Sequence, residues 1–412
     1  MESKVKDLSL APEGKRKINW IKDKMVVLNK IKEEYIEDKP LAGKTVSICL
    51  HLEAKTAYMA IILNELGADV YITGSNPLST QDDVAAALTE YGVTVYSWHG
   101  ETKEEYDKSL NKILEVEPDL IIDDGGDLVS KIHDEKPELI NKIIGGAEET
   151  TTGVIRLKSL DNKNLLKFPM MSVNDAQAKF LFDNRYGTGQ SVWDAIMRNT
   201  NLVVAGKDIV VAGYGWCGKG VAKRAEGLGG KVIVTEVDPF KAIEAKMDGY
   251  RVMKMKEAAK IGDIFITLTG CKNVINKDHF KLMKNGAILA NAGHFNVEVN
   301  VSDLENIADK KENVRDNIDA YLVGDKTLYL LAEGRLVNLA AGDGHPAEIM
   351  DMSFGLQVLS LLYLIENDLL PGLYKVPEKI DKKVAQYRLN ADKIEIDKLS
   401  SEQKAYLNNW KV

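Results

Sequence analysis

The stretch Asp208-Ile-Val-Val-Ala-Gly213-Tyr-Gly215-Trp-Cys-Gly218-Lys-Gly220 decides the fold. An apolar, β-branched run enters a glycine turn, and a helix start follows it. In such a turn the first glycine permits the tight bend, the second lets the backbone approach a pyrophosphate, and the third packs helix on strand. The free N–H groups of the helix start then meet the phosphate charge. Glu236 closes the next strand-like run, Lys-Val-Ile-Val-Thr-Glu, about twenty residues on, where a carboxylate holds a ribose diol and repels a 2′-phosphate. The stretch therefore predicts a Rossmann-type unit that binds NAD rather than NADP.

Strands and helices alternate on both sides of it. Strand-like runs at 45–50, 69–73, 93–98 and 120–123 are separated by helical stretches such as 56–66 and 81–91, closed by Gly67 and Gly92. A glycine just past the last turn is the expected helix stop. A second series, 208–212, 231–235, 264–267, 287–291 and 328–331, leads to an apolar helix at about 350–365. The pattern predicts an α/β protein with two doubly wound, Rossmann-like domains and a short C-terminal tail. The capping box Ser400-x-x-Gln403 predicts a short helix in that tail. In the first domain, His51, Asn76 and Asp123-Asp-Gly-Gly-Asp127 fall at carboxyl ends of strands, where ligands bind.

Composition narrows the partners. With 412 residues, two to three domains are expected at about 150 residues each. The net charge of −8 comes with Lys and Arg mixed among the acids, so a nucleic-acid partner is not expected. No apolar run reaches the roughly 18 residues of a membrane span. The first seven residues lack the apolar core of a signal peptide. The three cysteines show no metal spacing and read as reduced thiols of a cytoplasmic protein. His51-x-Glu53 has no third ligand spaced to join it, and no catalytic metal is expected. His99, His133 and His279 read as structural.

Lys179 and Asp183 lie four apart, a spacing that puts them on one helix face, with Asn184 beside them. Taken alone, that pair is more often a surface ion pair than a catalytic one.

The chain resembles the S-adenosyl-L-homocysteine hydrolase family along nearly its whole length, most closely the S-inosyl-L-homocysteine hydrolase branch. The motifs that carry the resemblance are Ser79-Thr-Gln-Asp82, Asp123-Asp-Gly-Gly-Asp127, Glu148-Glu-Thr-Thr-Thr-Gly153, Val173-Asn-Asp and Phe182-Asp-Asn-x-Tyr-Gly187. They continue in the glycine turn, Gly293-His-Phe295, Leu331-Ala-Glu-Gly-Arg-Leu-Val-Asn338 and Gly344-His-Pro346. The resemblance implies a discontinuous substrate domain (1–184 and 346–372), an NAD domain (185–345) and an oligomerising tail (373–412), in a homo-oligomer, by family a tetramer.

It also implies a reaction. The ribose 3′-hydroxyl is oxidised by tightly bound NAD, the acidified 4′ hydrogen is removed, homocysteine is eliminated, water adds, and the ketone is reduced again. Lys179 and Asp183 would handle the 3′ oxygen, with Asn184 orienting the ribose. A lysine acts as a base near neutrality only if its surroundings lower its pKa. Asp124 would take the 4′ proton and Glu149 would hold the ribose hydroxyls. His51 and His294 would manage the thiolate and the water. Thr150, Thr151, Thr152, Asn338 and His345 would line the nicotinamide half. Gly213, Gly215, Trp216, Cys217, Gly218, Lys219, Gly220, Glu236, Thr269, Ala292, Gly293 and His294 would complete the cofactor contacts.

The departures from the family bear on the substrate. Adenosine-type members carry His-x-Thr-x-Glu-Thr-Ala after the first strand, the glutamate accepting from the adenine 6-amino group. Here the turn reads His51-Leu-Glu53-Ala-Lys55-Thr-Ala57, so an acceptor has become a donor suited to a 6-oxo group. Asp343 stands where the family commonly has Met. It could accept from the ring N–H of a 6-oxopurine or hold Lys55 in place, and Glu53 could neutralise Lys55; His345 also borders the base. These residues point to S-inosyl-L-homocysteine, with S-adenosyl-L-homocysteine as the alternative. An NAD-dependent hydroxy-acid dehydrogenase and a non-catalytic NAD-binding regulator stand as readings from other classes.

Overall fold

The first domain is built on short strands that pair in parallel. They are β1 (Thr45–Cys49), β2 (Asp69–Thr73), β3 (Thr94–Val95), β4 (Leu120–Asp123), β5 (Gly145–Glu148) and β6 (Pro169–Ser172). The computed structural model describes residues 2–410. β1 pairs with β2 on one side and β4 on the other, so the strand order reverses there.

The second domain repeats the plan with β7 (Asp208–Ala212), β8 (Lys231–Thr235), β9 (Arg251–Val252), β10 (Ile264–Thr267) and β11 (Ile288–Asn291). β7 lies between β8 and β10, giving a second reversal. β12 (Lys310–Arg315), β13 (Ile318–Val323) and β14 (Lys326–Leu331) close its edge, β14 parallel to β11 and the others antiparallel. Both sheets match the expected doubly wound α/β class. Crevices at the carboxyl ends of such reversals are where ligands bind.

Two crossings join the domains. One is the π-helical segment Phe180–Gly187, which runs into the helix Thr188–Thr200. The other is residues 341–346, which lead into the helix Ala347–Glu366. That return helix is long and apolar enough on average to cross a membrane, though Glu348, Asp351 and Gln357 interrupt its apolar run. It instead packs against β5 and the helices Val26–Tyr35 and Ala54–Glu65 of the first domain. Its Asp351 accepts from Val27 N and Leu28 N, at 2.7 and 2.9 Å. Those contacts satisfy the start of the helix Val26–Tyr35, whose own N-cap, Met25, supplies no side-chain hydrogen bond.

The expected tail boundary at 372/373 needs correcting. It falls inside β15 (Gly372–Lys375), which adds to the first sheet beside β6. The helix Glu378–Ala391 then packs on the return helix and on Val26–Tyr35. Only beyond it does the chain leave that layer, ending in the capped helix Ser401–Leu407.

Candidate active site

The two strand-order reversals and the two crossings converge on one cleft. Lys179 sits at its floor, where a short α-helical turn gives way to the π-helical segment. In π geometry the i+4 and i+5 positions share a side. Lys179 Nζ accordingly meets both Asp183 Oδ1 at 3.2 Å and Asn184 Oδ1 at 2.8 Å. Glu149 Oε1 stands 3.5 Å away, and Asn174 Oδ1 also at 3.5 Å.

The charges in this cluster are unequal. Burial alone would lower the pKa of Lys179, but Asp183 and Glu149 outweigh it and hold the ammonium above the ordinary lysine value. This is opposite to the lowering that a lysine base requires. Burial would likewise raise Asp183, yet Lys179 and then His345 hold its carboxyl well below the usual aspartate range. Burial wins only at Glu149, which is pushed up to about 8 in spite of Lys179. Two carboxyl groups on one lysine are thus pushed apart, leaving Glu149 as the one that exchanges a proton near neutrality.

Asp124 follows β4 and lies between two histidines. His51 Nε2 is 3.3 Å from Asp124 Oδ2, and His294 Nδ1 is 3.7 Å from Oδ1. His51 Nδ1 is fixed by Ser79 Oγ at 2.7 Å. Burial lowers the His51 pKa to about 4, with only partial relief from Asp124, so the imidazole is neutral at physiological pH. Among the described residues this is the one trio spaced to share a metal ion. The sequence search, looking for a third ligand near His51-x-Glu53, had no means of seeing it.

At the opposite wall Lys55 enters from the helix Ala54–Glu65. Its ammonium pairs with Glu53 at 2.6 Å and donates to the backbone oxygen of Asp343 at 2.8 Å. The Asp343 side chain does not line the cleft, contrary to its expected role as an acceptor there. The Asp343 carboxylate is 72% exposed and pairs with Arg198. The other role survives through the main chain, because Asp343 does hold Lys55. His345 turns inward from the same segment, its Nδ1 3.2 Å from Asp183 Oδ1 and its Nε2 3.3 Å from Thr188 Oγ1.

The cofactor side is built as its glycines require. Gly213 has φ +99° and Gly215 faces open space. A Cβ on Gly220 would collide with the carbonyl of Arg185, so this glycine seats the π-helical segment on the helix Trp216–Gly227. Phe180 packs on Trp216 with ring centroids 5.2 Å apart and planes tilted by 32°, and Lys219 lies 4.5 Å over the same ring. Glu236 folds over the turn, taking Tyr214 N at 2.7 Å and Val237 N at 2.7 Å.

Residues 2–139 match the family model described as S-adenosyl-L-homocysteine hydrolase, and residues 184–344 match that family's NAD-binding domain. The chain is a member of the S-adenosyl-L-homocysteine hydrolase family. It is 57% identical over 411 residues to S-inosyl-L-homocysteine hydrolase of Methanococcus maripaludis, covering 99% of both chains. The enzyme of the same description from Methanocaldococcus jannaschii is 57% identical over 409 residues, again 99% of each. Adenosylhomocysteinase of Pyrococcus abyssi is 56% identical over 409 residues, 98% of this chain and 97% of that one. Family membership sets the hydroxy-acid dehydrogenase and regulator readings aside.

The hydrolase's residues fit its cofactor. Asn338 lines the cleft, gives its Nδ2 to Ser191 Oγ at 3.1 Å, and keeps Oδ1 buried with no partner. A buried acceptor left in that state calls for a ligand donor such as a carboxamide. Cys217, Ala292, Thr150 and Thr151 line the cleft with it, while Thr152, Thr269 and Gly293 are not part of the lining. Thr269 is tied by its N–H and hydroxyl to Glu298, at 2.9 and 2.7 Å, and Gly293 N to Asn291 at 2.8 Å. Asn76 serves its own turn, accepting from Leu78 N.

Sequence reading passed over two hydrolase residues on the return helix. Ser353 Oγ donates to Asp183 Oδ2 at 2.9 Å, and Gln357 Nε2 to Glu149 Oε2 at 2.6 Å. Both are fully buried. Their signal was present as Ser353, Gln357 and Ser360, polar residues at helical spacing inside an apolar helix. The apolar lining of Leu336, Leu339, Met350 and Phe354 was also not foreseen, since such residues read as core.

Proposed function

We propose that the protein hydrolyses S-inosyl-L-homocysteine to inosine and homocysteine, with NAD held as a recycled cofactor. The observation that carries the choice of base is the hydrogen-bond inventory of Lys55. An ammonium has three donors. Glu53 and the Asp343 carbonyl take two, and the residue lines the cleft, which leaves one donor for a ligand acceptor. A 6-oxo group accepts there in a charge-assisted bond, whereas a 6-amino group opposes donor to donor. Mismatching that pair costs roughly 1–3 kcal/mol, about ten- to a hundredfold in preference. Of three relatives at 57% identity, two carry the inosyl name and one, from Thermotoga maritima, is named adenosylhomocysteinase, so the choice rests on Lys55 and not on the degree of identity.

The remaining roles follow from the groups in place. Bound NAD supplies a hydride acceptor that is restored within each turnover. Lys179, held as an ammonium, grips the ribose 3′ oxygen as a donor, and the hydroxyl proton passes to Glu149, the carboxyl that exchanges a proton near neutrality. Asp124 takes the 4′ proton, its turn backed by the Glu149 segment. His51, neutral and oriented by Ser79, receives a proton from the incoming water, and His294 stands on the other side of Asp124 toward the leaving thiolate. No metal is part of this reading. An oligomer is, since Phe240, Ile243 and Met247 expose an apolar stripe on the helix Pro239–Met247, with Val237 exposed just before it.

The test is homocysteine release without net NADH accumulation, for wild type and Lys55→Glu. Reversal of the base preference by Lys55→Glu supports the assignment. An unchanged preference contradicts it.

A further inference from the structure

Asp124 stands immediately before two glycines in left-handed backbone, Gly125 at φ +109° and Gly126 at φ +79°. The two glycines bring no side chain of their own; Asp123 Oδ1 accepts from Asp124 N at 3.1 Å and Oδ2 from Val129 N at 3.0 Å, and the far side of the turn is held from outside. Arg156 donates to the Gly125 carbonyl at 2.8 Å. From the other side, Glu148 Oε1 accepts from Gly125 N at 2.9 Å and from Thr150 N at 2.9 Å. One oxygen therefore ties the Asp124 turn to the segment carrying Glu149, Thr150 and Thr151.

Glu148 ends β5 in register with Asp123 of β4 and Ser172 of β6. It is fully buried, and its second oxygen, Oε2, has no partner. Space for the carboxyl is reserved by Gly153, where a Cβ would run into it. An ionised carboxylate with a buried, unpartnered oxygen is strongly disfavoured. Burial first, and then the Asp123 and Asp124 carboxylates, push its pKa well above the ordinary glutamate value.

We propose that Glu148 is a positioning residue, a neutral carboxylic strut that fixes Asp124 against the Glu149–Thr151 segment. It thereby sets the separation between the group that takes the 4′ proton and the groups that hold the ribose. The inference rests on the reaction proposed above. Only Asp124 touches the reacting C4′–H: the bond breaks, the proton passes to the carboxylate, and a solvent deuteron can return in its place.

The test uses the NAD-loaded enzyme with S-inosyl-L-homocysteine, and reads bound NADH on substrate addition beside deuterium uptake at C4′. Glu148→Gln keeps the acceptor and cannot ionise, so both readouts stay close to wild type. Glu148→Leu slows C4′ exchange about ten- to a hundredfold more than NADH appearance, with KM little changed. Should Glu148→Leu fail to fold, Gly153→Ala displaces the same carboxyl and gives the same split. Inactivity of Glu148→Gln, or equal slowing of both steps in Glu148→Leu or Gly153→Ala, overturns the proposal. Amide exchange at Gly125 and Thr150 needs no turnover. Protection retained in Glu148→Gln and lost in the Leu variant supports the strut, even if wild type shows no C4′ exchange and the reaction reading fails. Protection unchanged in every variant overturns it.

Discussion

Lys55 Nζ lies 2.8 Å from the backbone oxygen of Asp343, joining residues 288 positions apart where the second crossing returns to the first domain. The contact uses the main chain, so the Asp343 side chain is dispensable for it. Asp343→Ala is expected to keep the ratio of kcat/KM between inosyl and adenosyl substrates. Its ion pair with Arg198 is exposed and contributes no more than about 1 kcal/mol to stability. Lys55→Met, by contrast, is expected to collapse the ratio toward unity. A change in the ratio for Asp343→Ala would return the carboxylate to the base site.

Lys179 belongs to the ribose side of the cleft and touches no part of the glycine turn. Lys179→Ala is expected to retain NAD, read by absorbance of the released cofactor after denaturation. Homocysteine release should fall about a hundred- to ten-thousandfold, the scale of a lost proton-handling group. Loss of NAD together with activity would make the residue a cofactor ligand instead.

Gln357→Leu removes the one hydrogen bond that the return helix gives to Glu149. That bond stabilises the charged form, so its loss moves the Glu149 pKa further above about 8. The pH dependence of bound-NADH formation should shift to higher pH, with a fall of roughly tenfold or more at neutrality. A shift to lower pH would contradict the donor role of Gln357.

The raised pKa of Glu149 also has a consequence for stability. Its folded value of about 8 lies above the ordinary 4.5, so the folded state holds the proton more tightly. The associated stability is fully present below about pH 4.5 and is lost as pH rises through about 8. Asp123 and Asp351, both pushed up to about 7 by burial, act in the same direction. Thermal melts of Glu149→Gln between pH 5 and 9 should therefore decline less steeply than those of wild type. An equal slope would remove Glu149 from this account.

Much of this was legible because periodicity and glycine placement are local signals. The strand before Gly213 and the acid at Glu236 stand where the sequence put them, and Lys179 meets Asp183 as the four-residue spacing required. The extra contact to Asn184 comes from π geometry, which no spacing rule for an α-helix contains. The direction of the Asp343 side chain depends on the backbone around Gly344, at φ +72°, and that path is set by the domains it joins. Gly372–Lys375 lacks the β-branched run of a recognisable strand, so its place in the first sheet was invisible. β12 is exposed along its whole length and shows no alternation to read. Gln357 was hidden by its own helix, because hydropathy averaged over a window conceals a polar stripe.

The free donor of Lys55 is expected to select a 6-oxopurine. The most direct test is the wild-type kcat/KM for homocysteine release from S-inosyl-L-homocysteine against S-adenosyl-L-homocysteine, under one set of conditions. The account predicts a preference for the inosyl compound of about ten- to a hundredfold. Equal values, or a preference for the adenosyl compound, would contradict it.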